Sequence, residues 1–235
     1  MLDPRWASPL AERMRRHLVL KAAGTTLIIG VFFVAYLHLL HHPAYPVTVM
    51  PSTELDRLLP FEPRALFVYL TLWLYVGAGP GLQLRLIELA NYAAWSILLC
   101  AAGLAIFHFW PTQVPTPGRD LSPHFGFAML QGIDAAGNAC PSMHVAFASF
   151  TALRIDQVLR VIGSPVLLRA ANVAWSLAIV LSTLLIKQHV VLDVAAGLLL
   201  GTSFALASLR WGLAIPTLHP APMAQPAISA RTNDA

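Results

Sequence analysis

The sequence predicts an all-α integral membrane protein, a bundle of six transmembrane helices with both termini in the cytoplasm. Hydrophobic residues make up 57% of the 235-residue chain and charged residues only 11%, whereas a soluble domain carries about 25% charged residues. Apolar stretches recur at the length that crosses a bilayer, and the cations are unevenly distributed around them. No part of the chain is left for a second folded domain, so we expect a single bundle.

Six apolar stretches are the candidate transmembrane helices. A span needs about 20 predominantly apolar residues, and five stretches meet this requirement: 22–40, 65–82, 89–110, 166–186 and 190–209. A sixth stretch, 143–153, is weaker because Arg154, Asp156 and Arg160 follow it after about three helical turns. The topology depends on whether this sixth stretch is counted.

The fifteen Lys and Arg residues favour counting it. With six spans and a cytoplasmic N-terminus, eleven of these cations lie in cytoplasmic segments and four in outer segments, which is the positive-inside pattern. We expect residues 1–21 to form a basic cytoplasmic N-terminus, residues 22–212 the membrane domain and residues 213–235 a disordered cytoplasmic tail. The cytoplasmic cations explain the formal charge of +4, so the expected partner is the lipid bilayer and not nucleic acid.

Two histidines open the fourth and sixth spans, in the segments CPSMHVAFASF and KQHVVLDVAAG. Both spans run from outside to inside in this topology, so His144 and His189 are expected at helix N-termini near the outer interface. The free N–H groups and the dipole of a helix N-terminus favour an anionic ligand. Pro141 and Ser142 suit such a helix start, since Pro is tolerated in a first turn and Ser can cap it. We therefore predict one shared site at the outer face.

Asp193 follows His189 by four residues, which predicts that both lie on one helical face. Its carboxylate can accept the imidazole Nδ1–H and leave Nε2 free as a nucleophile. A lone interfacial histidine is more often a packing or snorkelling residue. An acidic residue just inside the apolar region is costly and is usually paired and functional, and the matching depth of His144 also favours chemistry.

The two motifs resemble those of the type 2 phosphatidic acid phosphatase (PAP2) superfamily. PSMH is similar to the family's Pro-Ser-Gly-His motif, and Ser182, His189 and Asp193 have the spacing of its Ser-Arg-x5-His-x3-Asp motif. The resemblance covers residues 107–201. Met143 in place of the family's Gly, together with the KQHVVLD segment, looks more like the branch of inositol phosphorylceramide synthases and other inositolphosphotransferase-like proteins.

The resemblance implies a lipid phosphatase or phosphotransferase that forms a phosphohistidine. In this scheme His189 attacks phosphorus, Asp193 orients it, and His144 protonates the leaving oxygen and then deprotonates water or an alcohol. The scheme requires no metal and no other cofactor. The expected substrate is a phospholipid or a polyprenyl phosphate or diphosphate, and the expected location is the inner membrane, with the site on the extracytoplasmic side.

Only some of the family's phosphate-binding cations have counterparts in this sequence. The family's Arg after the motif serine is Thr183 here, and its Lys-x6-Arg-Pro motif is absent. Lys187 and Arg119 can replace two of the three cations, and Ser142 and Ser182 complete the expected phosphate-binding set. For Lys187 to point at the phosphate, the chain just before His189 must form a turn and not a helix.

Two alternatives stay open at this point. The missing arginines allow a catalytically degenerate member that binds a lipid headgroup without turnover. A proton-coupled transporter could also use an intramembrane His and Asp, although inverted repeats would be expected for it. The acceptor, the substrate lipid and the oligomeric state are not specified by the sequence.

Overall fold

The computed structural model describes residues 4–115 and 137–212. In these residues the chain forms a 3-10 turn at Pro4–Trp6, nine α-helices and two short strands, β1 (Thr48–Val49) and β2 (Thr112–Gln113). The helices are α1 (Ala7–Arg15), α2 (Leu18–His41), α3 (Glu54–Leu58), α4 (Ala65–Leu70), α5 (Leu72–Gly81), α6 (Leu86–Phe109), α7 (Met143–Val161), α8 (Val166–Leu185) and α9 (Val191–Trp211). The mostly helical architecture is as predicted. Arg119 and the expected tail at 213–235 lie outside the described residues.

Four helices, α2, α6, α8 and α9, are long and apolar enough to cross a membrane. They coincide to within four residues with the predicted spans 22–40, 89–110, 166–186 and 190–209. The chain is therefore a membrane protein. The other two predicted spans correspond to a shorter apolar unit, Ala65–Gly81, which comprises α4 and α5, and to α7.

Helix α7 is the centre of the bundle and packs against α5, α8 and α9. Eleven of its 19 residues are buried, whereas only Lys21 and Tyr36 are buried in the 24-residue α2. The charged residues that weaken the apolar pattern of α7 have polar partners in the fold. Asp156, for example, accepts hydrogen bonds from Arg160 at 2.6 Å and from Arg169 at 2.8 Å.

Two glycines allow α7 and α9 to approach closely. A Cβ on Gly201 would overlap the carbonyl oxygen of Ala146 and the hydroxyl of Ser149, and a Cβ on Gly197 would overlap the carbonyl oxygen of Ser142. Small residues four apart are the usual means by which helix backbones come together in a membrane. This contact brings together the N-terminal ends of both helices, where the two histidine motifs lie.

A buried polar cluster ties α1 and α2 to the α5–α6 connection. Arg13 Nη1 donates to the carboxylate of Glu88 at 3.3 Å and to the carbonyl oxygen of Leu82 at 3.2 Å. Lys21 Nζ donates to the carbonyl oxygens of Arg13 and Gly81 at 2.6 and 2.7 Å. The cluster lies at the end of the bundle opposite to the histidines and holds the start of α2 in place.

The other end of α2 is held by the segment that leads into α7. Asn138 Nδ2 donates to the carbonyl oxygen of Tyr36 at 3.0 Å, and the backbone N–H of Cys140 donates to Thr112 Oγ1 at 2.8 Å. Strand β1 pairs in parallel with β2, with Thr48 opposite Thr112. These bonds join the ends of α2, α6 and α7 on the histidine side of the bundle.

The glycine contact can be tested by adding one methyl group. We expect Gly201→Ala to lower the free energy of unfolding by about 1–3 kcal/mol, because overpacking has no room to relax against the α7 backbone. Gly77→Ala is the control, since a Cβ at Gly77 meets open space. Thermal unfolding in detergent measures both. Equal stability of the two variants would contradict a tight α7–α9 contact.

Candidate active site

His144 lies in the first turn of α7. The helix begins at Met143, and its N-cap is Ser142, whose Oγ accepts a hydrogen bond from the N–H of Val145 at 3.4 Å. Ser142 is fully buried. The predicted helix start, with serine as the cap, is confirmed.

His189 lies in the turn between α8 and α9. Helix α8 ends at Leu185, and the carbonyl oxygen of Thr183 accepts the N–H groups of Gln188 at 3.1 Å and of His189 at 3.3 Å. Lys187 takes a left-handed conformation with φ of 61°, which ends the helix and reverses the chain. The chain before His189 thus forms the turn that Lys187 would need in order to point at the phosphate.

The prediction that His189 and Asp193 share a helical face is wrong, because α9 begins only at Val191. Asp193 instead caps the start of that helix, where its Oδ2 accepts the N–H of Val190 at 3.0 Å. The capping geometry still places the same oxygen 3.5 Å from His189 Nδ1. The helix cap thus brings the carboxylate and the imidazole to ion-pairing distance, although His189 Nδ1 makes no hydrogen bond with the described part of the chain.

The two imidazoles face each other. His189 Nε2 lies 3.4 Å from His144 Nδ1, and the ring centroids are 5.6 Å apart. The backbone N–H of Ser142 donates to the carbonyl oxygen of Asp193 at 3.0 Å, which fixes the start of α7 to the first turn of α9. His189 is 7% exposed and Asp193 is fully buried, so the predicted catalytic residues meet in one sheltered site.

Tyr69 is a further member of this site. It belongs to α4, is 3% exposed, and its hydroxyl lies 2.6 Å from His144 Nε2. The two rings also pack together, with centroids 4.8 Å apart. No sequence motif identifies Tyr69, because it lies in an apolar span 75 residues before His144. The contacts therefore run from Tyr69 through His144 and His189 to Asp193.

Helix α3 is docked on the turn that carries His189. Lys187 Nζ donates to the carbonyl oxygens of Asp56 at 2.9 Å and Leu59 at 2.8 Å. Asp56 in turn accepts the N–H of Val191 on Oδ1 at 2.8 Å. The sequence analysis did not identify Asp56, which helps to cap α9 across 135 residues of chain. An ammonium has three N–H donors, and Lys187 uses two of them to bind the carbonyl oxygens of Asp56 and Leu59.

The two serines assigned to phosphate binding have local structural roles. The hydroxyl of Ser142 caps α7, as described above, and Ser182 Oγ donates to the carbonyl oxygen of Ile179 at 2.6 Å within α8. Thr183, at the position of the family arginine, is fully buried and donates from Oγ1 to the carbonyl oxygen of Val180 at 2.8 Å. Arg119 lies outside the described residues.

An apolar cavity of about 490 Å³ leads away from the histidines. His144 and His189 line one end, and Lys21 lines the other. Between them the wall is formed by α2, α5, α6 and α7, with Ile28, Phe32, Phe33, Trp73, Val76 and Phe147 among its residues. The site thus opens onto a hydrocarbon-like groove.

The PAP2 superfamily matches residues 86–215, which is more than half of the chain. The chain belongs to the PAP2 superfamily. Members of this superfamily are generally phosphoesterases or phosphotransferases, which assigns the protein to that broad class of enzymes. No curated protein and no solved structure matches the chain.

The matched region contains α6–α9, and with them both histidines and Asp193. Tyr69 and Asp56 precede it. At the position of the PAP2 motif glycine, Met143 is 6% exposed and fills the space that a side chain on Gly103 of α6 would need. The large side chain of Met143 is therefore accommodated by the small Gly103 on the facing helix α6.

Proposed function

We propose that the protein is a membrane-embedded lipid phosphatase or phosphotransferase that acts on a phospholipid or a polyprenyl phosphate or diphosphate. The observation that supports this most is the approach of His189 Nε2 to within 3.4 Å of His144 Nδ1, with Asp193 behind His189. One imidazole is thereby oriented as a nucleophile, and the other lies beside the position of a reacting phosphorus.

In the first step, His189 Nε2 forms a bond to phosphorus while the bond from phosphorus to the leaving oxygen breaks. His144 donates a proton to that oxygen as it departs. Asp193 accepts the Nδ1–H of His189 and stabilises the positive charge that develops on the ring. The phosphoryl group lies between the two rings in this step, so the rings move apart when the substrate binds.

In the second step, His144 removes a proton from the acceptor, whose oxygen attacks phosphorus and releases His189. With a phosphomonoester as the donor, water as the acceptor gives free phosphate and an alcohol gives a new phosphomonoester. With a phosphodiester as the donor, an alcohol gives a new phosphodiester. The resemblance to inositol phosphorylceramide synthases supports an alcohol as the acceptor. The test is to incubate the protein with lipid phosphates, with and without inositol. Mass spectrometry of the products then distinguishes hydrolysis from transfer.

Cations are needed to hold the phosphate, because much of the start of α9 is already in use. The N–H groups of Val190 and Val191 bind Asp193 and Asp56, so they do not serve a bound anion. We assign the phosphate oxygens to Lys187 and Arg119, and to Ser142 and Ser182 when their hydroxyls exchange the bonds within α7 and α8 for bonds to the substrate. Lys187 can contribute by leaving the carbonyl oxygens of Asp56 and Leu59 and turning its ammonium toward the phosphate.

The groove supports a lipid as the substrate. A soluble phosphate ester would gain nothing from an apolar cavity next to the histidines, whereas burial of a hydrocarbon chain contributes about 0.8 kcal/mol per CH₂ group. The groove follows α2 over several turns, from Phe33 to Gly24. We propose that it holds the chain of the lipid while the phosphate lies at the histidines.

We further propose that the bundle has six spans, both termini in the cytoplasm and its site at the outer face of the inner membrane. Besides the four long helices, this topology needs α4–α5 and α7 to cross as well. The positive-inside distribution of the fifteen cations supports it. The central position of α7 also supports this topology. A helix enclosed by other helices tolerates the polar residues that weaken the apolar pattern of α7.

The nucleophile assignment predicts loss of activity in His189→Ala. We expect no detectable phosphate release or transfer, because the covalent intermediate cannot form. Asp193→Asn should keep KM within about threefold and lower kcat by a factor on the order of 10²–10⁴, as expected when an imidazole loses its orienting carboxylate. Steady-state assays on a lipid phosphate measure both. A His189→Ala variant with wild-type turnover would exclude the mechanism, and a wild-type protein that binds lipid phosphate without turnover would favour the degenerate alternative.

The groove predicts a chain-length effect in Gly24→Leu. Gly24 lines the cavity, and open space surrounds the position of its Cβ, so the leucine should fill the groove without disturbing the fold. We expect kcat/KM for a long-chain lipid phosphate to fall about tenfold, since roughly two CH₂ groups lose their contact. A short-chain analogue should be unaffected.

The control for this test is Gly30→Leu, on the same helix. A Cβ at Gly30 also meets open space, and Gly30 is exposed outside the cavity. If both variants keep the wild-type preference for chain length, the groove does not hold the lipid chain.

The topology predicts the sides on which introduced cysteines are labelled. Ser52→Cys, before α3, should react with a membrane-impermeant maleimide from the outside, and Ser8→Cys, in α1, should react only after the membrane is opened. Both serines are exposed. The native thiols give little background, because Cys100 is buried in α6 and burial raises the pKa of Cys140 to about 11. The opposite labelling pattern would contradict an outer site.

A further inference from the structure

We infer that Tyr69 is a positioning residue for the acid–base histidine and sets which nitrogen of His144 carries the catalytic proton. This rests on the proposed function and extends it. His144 has one nitrogen, Nδ1, directed at His189 and the other, Nε2, bound to the Tyr69 hydroxyl at 2.6 Å. Only Nδ1 therefore faces the reacting atoms.

The hydrogen-bond direction follows from the protonation state. When His144 acts as the acid it is protonated on both nitrogens, and an imidazolium has only donors. Its Nε2–H must then donate to the Tyr69 oxygen. After Nδ1 has given its proton to the leaving oxygen, the neutral ring keeps Nε2–H on Tyr69 and turns a lone pair on Nδ1 toward the site. That is the form needed to deprotonate the acceptor in the second step.

Without the phenol oxygen, the neutral ring can place its remaining proton on Nδ1. The ring in that tautomer has no lone pair facing the acceptor and cannot act as a base. Tyr69 thus fixes the tautomer of His144 in the same way that Asp193 fixes the tautomer of His189. The difference in charge suits the two tasks, since a carboxylate stabilises a cationic nucleophile, whereas a neutral phenol leaves the acid free to release its proton.

Burial and packing make the hydroxyl a fixed partner. Tyr69 is 3% exposed, and it packs in a cluster with Ala65, Leu66 and Ile186. Ile186 directly precedes the turn that carries His189. The phenol oxygen is thereby held relative to both histidines, and a buried hydroxyl that is already in place loses little further entropy when the site becomes charged.

The test is Tyr69→Phe with 4-nitrophenyl phosphate as the probe, followed before the steady state. Formation of the phosphohistidine from this ester needs no acid, because nitrophenolate is a good leaving group. We expect the initial burst of nitrophenol to stay within about threefold of wild type, while the steady-state rate falls about 10- to 100-fold because the second step needs the base. The phosphorylated enzyme should then accumulate, as measured by mass spectrometry after an alkaline stop, because the P–N bond of phosphohistidine is stable in alkali and hydrolyses in acid.

Tyr75→Phe is the matched control. Tyr75 is a buried tyrosine on α5 whose hydroxyl donates to Asn172 Oδ1 at 2.7 Å. We expect it to lose stability in thermal unfolding without accumulation of phosphoenzyme. If Tyr69→Phe slows the burst and the steady state by the same factor, or leaves both unchanged, the inference is overturned.

Two further measurements keep the test decisive. A 2,3-difluorotyrosine at position 69, assayed at a pH low enough to keep the acidified phenol neutral, keeps the ring and the hydroxyl but weakens the oxygen as an acceptor. It should give intermediate accumulation even if the phenylalanine variant is unstable. Equal phosphoenzyme levels in this protein and in wild type would also overturn the inference. A wild-type enzyme with turnover but no phosphohistidine at all would instead overturn the proposed function, so the two failures are distinguishable.

Discussion

The contact between the backbones of α7 and α9 is the constraint on which the rest of the site depends. Two glycines of α9 lie where any Cβ would overlap α7, so the helices approach more closely than side chains would allow. Packing at such short distance strengthens dispersion between the helices, which is a main source of helix association in a bilayer. It also sets the separation of the helix starts, and with it the distance between the two imidazoles.

This arrangement places several polar groups where water is scarce. Asp193 is fully buried, and its Oδ1 receives no hydrogen bond from the described part of the chain. Burial of such a group without a full set of partners costs free energy. Its neighbours offset this only in part, through the N–H of Val190 and the imidazole of His189. In the proposed mechanism, the negative charge of this weakly solvated carboxylate stabilises His189 when its ring becomes positively charged.

The sequence was sufficient for the features that depend on local pattern. Four of the apolar spans and the serine cap of α7 follow from composition and spacing, and the structure has them. The turn before His189 entered only as a condition for Lys187 to reach the phosphate. The relation between His189 and Asp193 was predicted correctly as a pair but with the wrong geometry. A four-residue spacing is the same whether both residues lie within a helix or, as here, one precedes the helix and the other caps it from the first turn.

The features that the sequence did not reveal depend on contacts between distant parts of the chain. Tyr69 is one of several aromatic residues in an apolar span, and only the packing of α4 against α8 and the start of α7 brings it to His144. Asp56 lies in a short helix that no long-range pattern connects to α9. The glycines of α9 are visible in the sequence, but the helix that they face is known only once the bundle is assembled.

The cluster of Arg13, Lys21 and Glu88 has a consequence for how a lipid reaches the histidines. It closes the far end of the groove with buried polar bonds, while α2 stands along the side with most of its surface unburied. If the substrate is a lipid, as proposed, its hydrocarbon chain enters sideways from the bilayer and not lengthwise from water. The quantity that governs the rate is then the mole fraction of substrate in the membrane. Added inert lipid should slow the enzyme by surface dilution, even when the total amounts of substrate and protein are unchanged.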